Sequence, residues 1–119
     1  VGKDSGFLMK QRAFLKLCLI GETEKGRLYG LSFWKKIRED YGDACEYRPT
    51  HTEIYKALHD LIDDGVLKRE KRVKEGMKYQ EVVYYVFQDY SKAQLYKKQL
   101  KVELERNIKI LKKALKDNY

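Results

Sequence analysis

The chain has 119 residues, of which 26 are Lys or Arg and 18 are Asp or Glu, for a net charge of +8 and a pI near 9.4. That length suits a single domain over 1–119, and ten Tyr, four Phe and one Trp exclude a disordered chain. One Pro and eight Gly exclude low-complexity classes. No apolar run nears the roughly 20 residues of a membrane span, no signal-peptide pattern opens the chain, and two Cys make no disulfide framework, so the expected compartment is the cytoplasm.

In chain order, Val1–Gly6 reads as a flexible arm. From Phe7 to Ile20, Leu8, Phe14, Leu15, Cys18 and Leu19 fall near helical spacing. Gly21–Gly26 reads as a connection. A second helix is expected from about Arg27 to Tyr41, with Leu31, Trp34, Ile37 and Tyr41 on one face, although Gly30 weakens it. Gly42–Pro49 reads as a turn with an extended piece at Tyr47–Arg48, since the residue before Pro avoids helical geometry. Thr50-His51-Thr52-Glu53 has the capping-box form T-x-x-E. The helix it opens should stop at Gly65, which can take the left-handed conformation.

Beyond Gly65 the period changes. Val66–Arg72 reads as a strand, Lys74–Met77 as a turn, and Tyr79–Phe87, dense in Val and Tyr, as a second strand. Asp89 to about Asn118 has no Gly or Pro and reads as one long helix. Three helices, a basic hairpin and a long helix predict an α+β fold. The arrangement expected is a winged helix, with a three-helix core, a β-hairpin wing and a long C-terminal dimerisation helix over 89–119.

The charge is unevenly placed. Residues 1–20 carry four basic and one acidic residue, and 66–81 carry six and three. Residues 89–119 carry nine and four, whereas 21–65 carry seven basic and ten acidic. Such a distribution suits a surface with one face toward phosphates. In the capped helix, Ile54, Ala57, Leu58, Leu61 and Ile62 make the inward stripe. Thr52, Tyr55, Lys56 and His59 follow i, i+3, i+4, i+7 on another face, and these residue types can bond base edges or phosphates. A solvated face would look similar, and Asp60, Asp63 and Asp64 favour that reading for the C-terminal end. The N-terminal half, led by Arg48, Thr50 and His51, presents a positive helix end to DNA. The hairpin carries Lys68, Arg69, Lys71, Arg72, Lys74 and Lys78, suited to a phosphate backbone. Lys on an edge strand also blocks aggregation, so both roles stay open. Lys10, Arg12 and Lys16 could reach phosphates from the first helix.

In the last helix Ala93, Tyr96, Leu100, Leu104, Ile108, Leu111 and Leu115 approach a heptad seam. About 30 helical residues span roughly 45 Å, more than one small domain can cover. Pairing of two such helices is the expected solution, with Val102 and Ile110 off the seam. His51, His59 and Cys45 match no common zinc spacing, and Gly21–Gly26 is not a phosphate-binding loop. No nucleophile stands beside a base, so neither an enzyme nor a cofactor is expected.

Longer stretches carry a resemblance. Phe7–Leu17, Arg27–Gly30, His51–Glu53, Asp63–Gly65, Gln80–Val83 and Tyr96–Leu104 resemble the bacterial replication terminator protein family over about Phe7 to Tyr119. The resemblance implies a winged-helix homodimer on double-stranded DNA, with two dimers cooperating at a terminator site. The bound complex would stop a replication fork from one side only and block the replicative helicase. It implies DNA contacts at Lys10 and Arg12; at Arg48, Thr50, His51, Thr52, Tyr55 and Lys56; and at Lys68, Lys71 and Lys74, to which the charge pattern adds Arg72. Pairing falls to Tyr96, Leu100, Leu104, Ile108, Leu111 and Leu115, and a helicase contact to Tyr29. The family's pattern has Arg at Lys56, Asn at Thr50, Glu at Gly26 and Cys at Asn107. Arg forks onto a base where Lys is a point charge, so the preferred site should differ. A winged-helix transcriptional repressor is the alternative within DNA binding. A protein-interaction module built on the long helix is the alternative outside it.

Overall fold

The computed structural model describes residues 6–26, 29–73 and 81–119. The arm at 1–5, the helix start at Arg27 and Leu28, the hairpin turn at Lys74–Met77, and Lys78, Tyr79 and Gln80 lie outside the described residues. The elements are α1 (Gln11–Glu24), α2 (Gly30–Ile37), a π-helical turn (Arg38–Gly42), α3 (Asp43–Cys45), α4 (His51–Asp63), β1 (Leu67–Val73), β2 (Glu81–Phe87) and α5 (Tyr90–Asn118).

Several boundaries differ from the expectation. The first helix begins at Gln11 rather than Phe7, and it runs through Gly21 to Glu24. Burial explains the extension: Ile20, Glu22 and Thr23 lie inside, and the Thr23 hydroxyl donates to Leu19 O at 2.8 Å. The glycine that ends this helix is Gly26, at φ +84°, a conformation that favours glycine. In the second helical region, regular α-helix stops at Ile37 and a π-helical turn follows. The expected turn over Gly42–Pro49 opens instead with one turn of helix, α3. Glu46, at φ 56°, ends it, with bonds from Glu46 N–H to Gly42 O and from Tyr47 N–H to Tyr41 O. The inward positions also shift. Phe33 and Ile37 are fully buried, whereas Leu31 is 58% exposed.

The capped helix forms as its sequence dictates. Thr50 Oγ1 accepts from Glu53 N–H at 3.1 Å, and Thr50 N–H donates to Glu53 Oε1 at 2.8 Å. Gly65 ends it at φ +78°. Thr50→Ala removes the acceptor for Glu53 N–H. It should lower unfolding free energy by about 1 kcal/mol in urea denaturation, with an unchanged m-value.

The two strands pair antiparallel, with Leu67 opposite Phe87 and Val73 opposite Glu81. The core gathers Leu15, Leu19 and Ile20 from α1, Phe33 and Ile37 from α2, and Ile54, Ala57, Leu58 and Leu61 from α4. Val66, Leu67 and Ala93 close it. Asp89 caps α5 by accepting Lys92 N–H at 3.2 Å. Glu24, at the end of α1, ties α5 down by accepting from Lys97 Nζ at 2.7 Å, Tyr90 Oη at 2.8 Å and Gln94 Nε2 at 3.0 Å.

The Lys97 ammonium, with Tyr90 and Gln94, holds the Glu24 carboxyl below its ordinary range. The folded chain therefore binds this proton more weakly than the unfolded chain. The stabilisation is complete above the ordinary carboxylate range and is lost as pH falls through the lowered value. Glu24→Gln should flatten the drop in thermal midpoint between about pH 6 and about pH 3, relative to the wild type.

Candidate nucleic-acid interface

The N-terminal half of α4 projects beside a stack of rings. The Arg38 guanidinium lies 5.0 Å from the Trp34 ring. On Trp34 stacks His51 at 4.0 Å and 19°, and Tyr55 follows His51 at 6.3 Å and 11°. The first residue of α4 is thus fixed by a flat contact to α2, which orients the helix start. Trp34 belongs to the face expected to point inward. Its ring is half-buried, and its indole Nε1 is buried with no acceptor among the described residues.

The nominated residues fall into distinct settings. Thr52 and Lys56 are exposed on α4, as is His59. Thr50 is exposed, but its hydroxyl serves the cap. Tyr55 turns its hydroxyl toward α2, where a Cβ added at Gly30 would sit 2.5 Å from Tyr55 Oη and 3.1 Å from Cζ. Gly30, read as a weakness of the second helix, is the close approach that lets α4 pack against α2. Arg48 is exposed, lies over Gly42 and stands 3.9 Å from Asp43. Arg12 donates to Asp60 Oδ2 at 2.7 Å. Lys16 stands 3.9 Å from both Asp60 and Asp64. Two of the three carboxylates that argued against phosphate near α4 are therefore faced by cations from α1. Lys10 precedes α1 and is exposed.

The wing divides its basic residues between two faces. Leu67 is fully buried, and alternation places Arg69 and Lys71 on its side of the sheet, opposite Tyr85 and Val83. Tyr85 packs on Phe33 at 6.0 Å, and its hydroxyl feels both Arg69 and Tyr55, although burial is what chiefly pushes its pKa up. This is the face turned toward α4. Lys68 and Arg72 lie on the other face with Glu70. There Arg72 donates to Glu70 Oε1 at 2.6 Å from Nη2 and 3.2 Å from Nε, and its guanidinium lies 4.6 Å over Tyr84. Lys68 stands 3.8 Å from Glu70. Arg69, named among the basic residues of the hairpin but not among the contacts that the resemblance implies, shares the face of Lys71. The period-2 pattern counted from Leu67 carries that signal. Lys74 lies outside the described residues.

On the far face Tyr29 meets Tyr84, with hydroxyls 2.7 Å apart and ring centroids at 4.6 Å. That hydrogen bond pushes the Tyr29 hydroxyl's pKa up. Tyr29, the residue nominated for the helicase, is thus joined through Tyr84 to Arg72 of the wing.

The apolar stripe of α5 is covered over its first half only. Ala93 is fully buried and Tyr96, Leu100 and Leu104 are half-buried, whereas Ile108, Leu111 and Leu115 are 50%, 49% and 65% exposed. Leu104, Ile108 and Leu111 form a groove with Met9 and Phe14. Cys18, half-buried at the core margin, has its thiol pKa pushed up to about 11 by desolvation, so it stays protonated at neutral pH. Among the described residues no helix is long and apolar enough to cross a membrane.

A helical core, a capped helix with an open polar face, and a two-stranded wing define a winged-helix protein. Solved structures share this fold. A transcriptional regulator from Clostridium thermocellum superposes with a TM-score of 0.69 at 21% identity, covering 89% of this chain and 97% of that one. Bacillus subtilis PadR, solved in complex with operator DNA, gives a TM-score of 0.53 at 26% identity over 69% of this chain and 44% of that one. The chain belongs to the replication terminator protein family, whose profile matches residues 6–119. The replication termination proteins of Bacillus subtilis strain 168 and Bacillus vallismortis are each 56% identical to it over 115 residues. These matches cover 97% of this chain and 93% of each relative. The family is one of terminator proteins, not of enzymes.

Proposed function

We propose that this chain binds double-stranded DNA at replication terminator sites as a homodimer. Two dimers cooperate on a full site, and the complex arrests replication forks arriving from one side by blocking the replicative helicase. The observation that carries the reading is the exposed N-terminal half of α4, with Thr52 and Lys56, flanked by the Arg69 and Lys71 face of the wing, in a chain of this family. In this reading α4 enters the major groove. His51, Thr52 and Lys56 reach base edges or phosphates, Arg48 and Thr50 lie at the entrance, and Lys71 follows the backbone beside it. Lys10 and Arg12 add phosphate contacts from α1 and its approach. Lys68 and Arg72 face the opposite side of the wing, held by Glu70. Lys74 completes the basic set.

The homodimer forms along α5 through Tyr96, Leu100, Leu104, Ile108, Leu111 and Leu115. Tyr29, 36% exposed, is the candidate contact for the helicase. Lys71→Ala should weaken binding to specific and scrambled duplexes alike and reduce the salt slope by about one phosphate contact per protomer. Fluorescence anisotropy across a salt series checks this.

A replication assay with the site in both orientations tests the function. Arrest in one orientation only is the expected result. Tight binding with arrest in neither orientation would make the protein a repressor instead.

A further inference from the structure

Residues 6–9 lie against the outer half of α5, and two adjacent side chains of that helix hold them. Met9 N–H donates to Asn107 Oδ1 at 2.6 Å. Arg106 Nη2 donates to Phe7 O at 3.0 Å and to Gly6 O at 3.2 Å. Asn107 is 8% exposed and, apart from Ala93, the one buried residue of α5. Ala93 is covered by the core, but Asn107 stands fourteen positions further along, between neighbours that are open to solvent. A buried amide is costly unless its groups are bonded. Here Asn107 Nδ2 donates to Glu103 O at 2.7 Å, which turns the planar amide and aims Oδ1 at Met9.

We infer that Asn107, braced by Arg106, is a positioning residue for DNA binding: it seats residues 6–9 on α5 and so sets where the chain delivers Lys10 at the entry to α1. Lys10 follows Met9 directly, and α1 begins one residue later. Fixing the Met9 amide therefore fixes the approach to the first turn of α1. The seat also borders the groove of Leu104, Ile108 and Leu111. The helix that would pair two protomers is thus the helix that holds residues 6–9. The consequence for affinity rests on the proposed DNA reading, whereas the seat itself does not.

Hydrogen exchange of the full chain, read at Met9 and at Leu58 of α4, tests the seat in Asn107→Ala and in the more exposed Arg106→Ala. The same proteins are titrated with a terminator-site duplex at several salt concentrations. In the wild type Met9 should be protected. Asn107→Ala should speed its exchange by about tenfold, with Leu58 unchanged. It should also lower the salt slope by about one phosphate contact per protomer. Asn107→Asp keeps the acceptor but loses the N–H that Glu103 O holds, and should retain only part of the Met9 protection. Arg106→Ala should loosen residues 6–9 by a smaller factor. Unchanged Met9 exchange in both alanine variants overturns the seat. Faster exchange with unchanged affinity and slope overturns its role in positioning. A wild type that protects Met9 but binds no duplex upholds the seat and overturns the DNA reading.

Discussion

Ile108→Asp combined with Leu111→Asp should yield a folded monomer whose affinity for a two-half-site duplex is about 10²- to 10⁴-fold weaker. Both side chains are half-exposed in the single chain, so carboxylates there leave the core of α1, α2 and α4 untouched. In a paired α5 the same positions lie inside the seam. Each lost apolar side chain removes about 1.5–3 kcal/mol of burial, and an unpaired buried charge adds a further cost. The loss on DNA is larger than any single contact explains, because the second half-site is then bound from solution instead of at high effective concentration. Sedimentation velocity reports the mass, circular dichroism the helix content, and anisotropy the affinity. A dimer that survives both substitutions would place the pairing surface elsewhere.

Lys56→Ala should reduce affinity for the terminator duplex by about 1–3 kcal/mol while changing affinity for scrambled DNA by less than about threefold. Lys56 stands one turn into α4, exposed on the face away from Leu58 and Leu61. Neighbouring side chains on that face are committed: His51 stacks on Trp34, Tyr55 reaches toward Gly30, and Thr50 holds the cap. Lys56 and Thr52 are thus left as the adjustable readers, whereas His51 can meet DNA only with the exposed edge of a ring held against Trp34. Lys56→Arg places a forked donor in the same position and should shift sequence preference more than overall affinity. Equal losses on both duplexes for Lys56→Ala would assign the residue to phosphate contact alone.

Much of the architecture was legible because local chemistry and tertiary structure agree. The T-x-x-E box closes both of its bonds at Thr50 and Glu53. Gly65 takes its left-handed turn, and the stripe of α5 outruns the core that could cover it. Elsewhere a residue's role depends on a partner far along the chain. Gly21 and Gly26 look alike as helix stops, and only burial of Glu22 and Thr23 selects the second. Gly30 looks like a defect until Tyr55, 25 positions later, packs over it. The register around Phe33 and Leu31 depends on Tyr85 of the wing. A π-helical turn has no simple residue signature. In the site, the basic character of the wing was evident from composition. Its division into an Arg69–Lys71 face and a Glu70-bound Lys68–Arg72 face needed the pairing register.

The measurement that bears most directly on the central claim is fluorescence anisotropy with a terminator-site duplex and a scrambled duplex, titrated across salt. The account predicts a strong preference for the terminator duplex, two saturation steps, and affinity that falls steeply with salt on both. Equal binding to the two duplexes, or no salt-sensitive binding to either, would contradict it.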